Sequence, residues 1–462
     1  MGQERRVSRS SSEQLSQRLG KRLDLLKGGR DADPRQQTLR ATIQWSYDLL
    51  SEPESALFRH LSVFAGGCTL ETAEEAAAAE PDLLQSLVEK SLVRRTGDRF
   101  WMLETIREFG REQLGTQDEA EVAYAAYREW MLRIAEQAAT DMEGPGGGEW
   151  LERLREEDDN VREVITLALD AADAECALRI LTALDRYWWD RSGEAASWFD
   201  RALQLLDRVP PTLAAHTLRV AGTTAWFIGK PELTLQRCRR SLAIFEQLGD
   251  EGGVGLMYTR IAPPLMVAGK LDEAAELLEK AAEIHRRLGQ HSELAIAVEE
   301  LGWIAARRGE LHEAVEFYEQ SLALARETGD SQGTTGPLLH LGGAKIEMDE
   351  LEAGTALVQE ALELAWRNGL RVDVGMCFGS IAIALGGQGD IRTAAILWGA
   401  CQRLDSELGP TQLRIYKAEV ETKLPPSVLA DSDGIGAGNA MPTADAVELA
   451  LHLSGSALDV SQ

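Results

Sequence analysis

Residues 289–329 read GQHSELAIAVEELGWIAARRGELHEAVEFYEQSLALARETG, two helix-length segments punctuated by glycines at 289, 309 and 329. The spacing recurs along the chain: Gly249, Gly289, Gly329, Gly369 and Gly409 are 40 residues apart. A second comb, Gly229, Gly269, Gly309, Asp349 and Gly389, runs 20 residues out of phase with the first. Two breaks per period imply two helices per unit. A fixed period of about 20–50 residues marks a solenoid, whose units bury their apolar faces only against their neighbours.

Superposing the units column by column supports this. Ala221, Ile261, Leu301, Leu341 and Ile381 share one column, and Gly222, Ala262, Gly302, Gly342 and Ala382 the next. In the second helix Thr234, Ala274, Ala314, Gly354 and Ala394 stay small, as do Ser241, Ala281, Ser321, Ala361 and Cys401. Ile244, Ile284, Leu324, Leu364 and Leu404 remain large and apolar. Small residues let the two helices of a unit approach closely while large neighbours fill the gap. Leu301-Gly302, Gly309, Ala314 and Ser321 resemble the tetratricopeptide repeat, in a unit longer than its usual length of about 34 residues. The resemblance implies that first helices line a concave groove for a peptide or protein. Its groove positions map to Arg219, Thr223, Trp226, Thr259, Met266, Glu299 and Trp303.

Ahead of the array the periodicity is different. Leu39, Ile43, Tyr47 and Leu50 share one helix face, and Ser51 with Glu54 forms a capping box for the next helix. Helices are expected over 69–79 and 82–92, and then two β-prone runs flank the turn Thr96-Gly97-Asp98. Helices followed by a hairpin make a winged helix. The run from Pro34 through Trp45 to Gly67, with Leu84 to Leu92, Leu103 to Phe109, Trp150-Leu-Glu-Arg and Asp159-Asn160, resembles the region that follows the nucleotide-binding domain in bacterial STAND (NB-ARC-type) ATPase regulators. That resemblance implies a multidomain switch in which the repeats sense a signal. No Gly-x-x-x-x-Gly-Lys-Ser/Thr motif occurs, and the roughly 250 residues of an ATPase fold do not fit before Thr38. The nucleotide-binding module is therefore expected to be absent, and an ATPase domain in trans becomes an expected partner. Where relatives carry Met-His-Asp, this chain has Met102-Leu103-Glu104, without the histidine.

Composition narrows the function further. The formal charge of −27 and pI near 4.8 oppose wholesale attraction to nucleic acid or anionic membrane. Residues 1–40 are locally basic, with ten Lys/Arg against five acids, and Leu15, Leu19, Leu23 and Leu26 suggest a short helix there. The candidate recognition helix offers Lys90 against Asp82 and Glu89, so within the winged helix only the wing, with Arg94, Arg95 and Arg99, is basic enough to contact DNA. Five well-separated cysteines show no metal knuckle or disulfide framework, which with the missing apolar leader suggests a reduced, cytoplasmic protein. His312-Glu313-x-x-Glu316 lacks the second histidine of a zinc helix, and the acidic run 156–160 points around its helix. Gly144 to Gly148 reads as a hinge or loop, and the Gly/Ala/Asp-rich stretch 431–442 as a linker rather than a dinucleotide fingerprint.

The expected fold is all-α with a small β-hairpin wing, a winged helix followed by a right-handed tetratricopeptide-like α-solenoid. The expected divisions are a basic arm (1–33), the winged helix (34–115), a connector with irregular first repeats (116–212), the array (213–410) and a C-terminal cap, linker and helix (411–462). Functionally, the sequence suggests a non-enzymatic module that binds a protein or peptide, without catalytic residues, cofactor or metal. The alternative is a transcriptional regulator that touches DNA through its basic arm and wing.

Overall fold

The computed structural model describes residues 39–117, 119–142, 147–189, 191–329, 331–408 and 412–453. The basic arm, its short helix, most of the Gly144–Gly148 segment and the Gly409 tooth of the comb lie outside the described residues. The fold is helical with one small sheet, and the chain forms two units.

The first unit comprises residues 39–134 and 156–164 of the described chain. Its helices are α1 (Leu39–Asp48), α2 (Glu52–Leu61), α3 (Leu70–Ala77), α4 (Pro81–Glu89), α5 (Glu104–Thr116) and the start of α6 (Ala120–Asp141). β2 (Arg94–Thr96) and β3 (Arg99–Trp101) form the expected hairpin. A third strand, β1 (Cys68–Thr69), pairs antiparallel with the free edge of β3, which the sequence did not reveal. Phe58, Leu61, Leu84, Leu87 and Phe109 are fully or almost fully buried between these helices.

The capping box is formed. The amide and hydroxyl of Ser51 donate to the Glu54 carboxylate, and so do the Ser86 hydroxyl and the Lys90 ammonium. These donors, Lys90 foremost, hold the Glu54 carboxyl down at about 2. A depressed carboxylate stabilises the fold above its ordinary pKa, and that stability is lost as pH falls through the folded value. Glu54→Gln is expected to cost about 2–3 kcal/mol at neutral pH. In urea titrations the variant should also lose the part of the acid dependence that wild type shows between about pH 4.5 and 2.

The second unit comprises residues 135–155 and 165–453 of the described chain. It contains α7 (Gly147–Glu156), the C-terminal part of α8 (Asp158–Asp170), α9 (Ala174–Ala183) and α10 (Ser192–Ala202), of which the last two pack on α11 (Pro211–Phe227). Trp188 is buried among these layers, its ring 5.7 Å from that of Trp198. The array continues as α12 (Pro231–Leu248), α13 (Glu251–Val267), α14 (Leu271–Leu288), α15 (His291–Arg308), α16 (Leu311–Thr328), α17 (Ser331–Glu347), α18 (Leu351–Asn368), α19 (Arg371–Gln388) and α20 (Ile391–Leu408). Each helix packs on the next, and α11, α13, α15, α17 and α19 also touch in succession, making an inner layer.

The comb residues end the helices in left-handed conformation. Gly289 has φ +67°, Gly309 +81° and Gly329 +70°, and Asp349 adopts the same geometry at +66°. An L side chain tolerates this conformation poorly, which explains why glycine recurs there. The small columns mark close approach. A Cβ on Gly302 would lie 2.8 Å from the Tyr318 ring, and one on Gly342 2.8 Å from the Gly354 carbonyl oxygen. The Ser241 and Ser321 hydroxyls each donate, at 2.8 Å, to the inner-helix carbonyl 26 residues earlier.

Beyond the array lie α21 (Gln412–Lys423), α22 (Pro426–Ala430), α23 (Ser432–Ala440) and α24 (Thr443–Leu451). The expected linker over 431–442 is therefore largely a helix. Its glycines let it cross α20 at contact distance: a Cβ on Gly438 would fall 1.9 Å from the Ile396 carbonyl oxygen, and one on Gly399 2.2 Å from that of Ile435. Likewise Gly147 and Gly148 begin α7 rather than extending a hinge.

Candidate functional site

The inner helices of the array enclose a cavity of about 340 Å³ in the second unit. Of the seven groove residues expected from sequence, Thr223, Trp226, Thr259, Met266, Glu299 and Trp303 line it. Forty-residue periodicity places them on successive inner helices, α11, α13 and α15, so one register yields one wall. Thr259 and Met266 are buried, whereas Trp226 and Trp303 are only partly so. Arg219 does not line the cavity; its guanidinium donates to Asp185.

Polar groups the sequence did not single out complete the lining. His340 Nδ1 lies 2.8 Å from Glu299 Oε1. Burial alone would lower the His340 pKa, but the hydrogen bond and charge of Glu299 outweigh it and the net shift is upward. Burial, reinforced by the Glu299 charge, pushes the neighbouring Glu300 carboxyl up to about 7, against the pull of His340 and Arg260. Gly336 makes room for this arrangement, since a Cβ there would sit 2.4 Å from a Glu299 carboxylate oxygen. Arg260 Nε is buried without a hydrogen-bond partner. Pro263 and Pro264, inside α13, lack amide hydrogens, so the Thr259 and Arg260 carbonyls are without their usual helical donors.

Aromatic groups form the apolar part. The Trp189 and Phe227 rings lie 5.6 Å apart, and the Arg307 guanidinium sits 4.6 Å from the Trp303 centroid. The cavity is thus largely aromatic and aliphatic, with carboxylates and the Arg260 guanidinium among its polar groups. Of the missed groups, Glu300 stood beside Glu299 in the sequence, and Pro263-Pro264 interrupted a helical pattern. His340 and Arg260 fall 40 residues to either side of Glu300, one column past Glu299, but that column changes residue type at every unit.

On the first unit, Arg94 and Arg95 of the wing are exposed and lie over the Trp101 and Phe100 rings, each 5.5 Å from a centroid. Arg99 is engaged inward, donating to Glu157 and to the carbonyls of Gly66 and Gly67. Lys90 is drawn onto Glu54. Glu157 belongs to the acidic run 156–160, which holds a network of internal bonds. Asn160, fully buried, accepts from the Gly66 amide at 3.1 Å and the Tyr127 hydroxyl at 2.8 Å. It also donates to the Gly67 carbonyl at 2.9 Å.

His312, Glu313 and Glu316 lie exposed on a helix face, and among the described residues no cluster of three or more His, Cys, Asp or Glu could hold a metal. All five cysteines are buried and none is in a disulfide, and burial pushes the Cys68, Cys238 and Cys401 thiols up to about 12. Among the described residues no helix is long and apolar enough to cross a membrane.

Comparison with known proteins gives two family matches: residues 257–327 to the tetratricopeptide repeat and residues 50–115 to the winged helix-turn-helix domain. A protein of Mycobacterium tuberculosis provisionally named an HTH-type transcriptional regulator is 34% identical over 252 residues, 49% of this chain and 28% of its own length. An uncharacterised protein of the same organism is 37% identical over 105 residues, 20% of this chain and 27% of its own length. The chain thus spans under a third of these curated relatives. Among solved structures, a STAND protein with a tetratricopeptide repeat sensor from Pyrococcus horikoshii is similar at TM-score 0.44 and 17% identity, over 89% of this chain and 65% of its own. A Rap protein complexed with Competence and Sporulation Factor is similar at TM-score 0.43 and 12% identity, over 67% and 99%.

Proposed function

We propose that this chain is a non-enzymatic interaction module whose repeat array holds a peptide, or a peptide segment of a protein partner, in the inner cavity. The observation that carries this reading is the meeting of Thr223, Trp226, Thr259, Met266, Glu299 and Trp303, from three inner helices, around one cavity. Solenoids present extended concave surfaces, and tryptophan is enriched among the residues that carry most of an interface's binding energy. Together with the winged helix that precedes it in sequence, the array would serve as the sensing arm of a switch. Random-heptapeptide display on the purified chain tests the reading. Enriched peptides should bind Trp303→Ala and Glu299→Lys about 10- to 100-fold more weakly in fluorescence polarisation, with unchanged circular dichroism. Equal affinity in both variants would remove the cavity from the account.

The second reading is a transcriptional regulator, favoured by exposed Arg94 and Arg95 on the wing and by the regulators to which the chain is similar. With Arg99 and Lys90 engaged internally, only two wing cations are left for phosphates. The wing's own share of duplex binding should therefore be shallow in salt, so that replacing Arg94 and Arg95 with alanine lowers the log–log slope by about 2. A gel shift in which tight binding collapses steeply with salt would favour DNA as the main partner.

A further inference from the structure

We infer that the cavity recognises a basic group on its peptide, an arginine guanidinium or a lysine ammonium, and that Glu300 is the carboxylate that receives it. This rests on the peptide-binding reading above and names the chemistry of its ligand.

Three observations converge. Glu300 lines the cavity without a hydrogen-bond or ion-pair partner among the described residues, whereas the other lining acids are engaged. Glu299 is bonded to His340, Glu419 to Arg307 and Lys423, and Asp373 has a partner of its own. An unpaired carboxylate in an apolar chamber is costly, and a ligand cation is the group that relieves the cost. Its carboxyl, held near 7 by burial and by Glu299, would ionise fully once that cation arrived.

The second observation is the backbone of α13. Because Pro263 and Pro264 have no amide hydrogen, the Thr259 and Arg260 carbonyls lack their helical donors, and Thr259, Arg260 and Pro263 all line the same chamber. Carbonyls accept only, so they too favour a donor-rich group. Third, the walls carry Trp189, Trp226, Phe227 and Trp303. Such faces attract cations and cover the methylene stem of an arginine or lysine. An anionic group would meet four lining carboxylates, Glu299, Glu300, Asp373 and Glu419, against Arg186, Arg260 and His340.

Random-heptapeptide display on the full chain tests this directly. Enriched peptides should share an arginine or lysine at one position. Replacing that residue with citrulline, or with norleucine for lysine, should weaken binding to wild type about 10- to 100-fold by calorimetry. Glu300→Gln should bind the basic peptide as weakly as wild type binds the neutral one, and the two changes together should add little more. The idea is overturned if enriched peptides show no basic position, if the neutral analogue binds wild type undiminished, or if the two losses simply add. The neutral-analogue arm needs only wild-type protein, so a folding defect in Glu300→Gln would not blunt the test. Enrichment of no peptide at all would instead defeat the peptide-binding reading itself.

Discussion

Asn160→Ala should destabilise the first unit by about 3–4 kcal/mol, because it leaves at least two buried polar groups without partners. The Asn160 amide serves the Gly66 amide, the Gly67 carbonyl, the Tyr127 hydroxyl and the Glu157 carboxylate, at a site sealed from solvent. Arg99 contributes a second set of bonds to the same loop, so the loss is large without being total. For a unit of this size the corresponding fall in melting temperature is more than about 12 °C. Hydrogen exchange followed over residues 39–134 would show it as a loss confined to that unit. Asn160→Asp should be worse at neutral pH, since a carboxylate would face Glu157 and the Gly67 carbonyl. Its folded pKa would be raised, the folded state would bind the extra proton, and its stability should recover as pH falls from 7 towards 5. A fall of less than about 1 kcal/mol in Asn160→Ala would show that Arg99 alone holds the loop.

Gly438→Ala should also destabilise, by about 2–3 kcal/mol, although alanine is the better helix former by about 1 kcal/mol. The added methyl would meet the Ile396 carbonyl oxygen at 1.9 Å and the Ala400 amide nitrogen at 2.9 Å, both backbone atoms that no rotamer change can move aside. Gly436, two residues earlier on the same helix, faces open space. Gly436→Ala should therefore stabilise the helix, and the opposite signs of the pair are the result to look for. Chemical denaturation of both variants, with hydrogen exchange over residues 426–451, would separate helix propensity from the helix crossing. Two substitutions of the same sign would mean that α23 does not lie tightly on α20.

These residues also show where the sequence was legible. The helix ends could be read because left-handed backbone selects glycine, and the small columns because closely packed helices exclude Cβ atoms. Asp349 broke the comb only in name, since its backbone adopts the same geometry as the glycines. The same residue type misled over 431–442, where the reading took Gly434, Gly436 and Gly438 for slack. Gly434 and Gly438 are contact points of a helix crossing instead, a difference that depends on a partner 40 residues away. The two-residue strand β1 was too short for any alternation to appear.

At the cavity, the reading followed the columns that match a tetratricopeptide groove and passed over the adjacent column of Arg260, Glu300 and His340, whose residue type changes at every unit. Arg219 sat in a groove register, but Asp185 lies within its reach and draws its guanidinium away. Glu300, His340 and Arg260 matter through charge and burial, which depend on neighbours tens of residues away in sequence. The acidic run 156–160 was read as side chains pointing around a helix, and nothing local announced that Asn160 is sealed in a network with Gly66 and Gly67.

The continuous inner layer has a consequence for cooperativity. An array whose units touch only their neighbours can melt from either end in stages, like beads leaving a string. The cavity, by contrast, draws on inner helices from α11 to α19 and on α21 beyond them. A bound ligand would therefore couple layers that are otherwise linked only pairwise, and by mass action would favour the states in which all of them are closed. Under that proposal occupancy would be felt as stiffness across the layers that line the cavity, with no single hinge required.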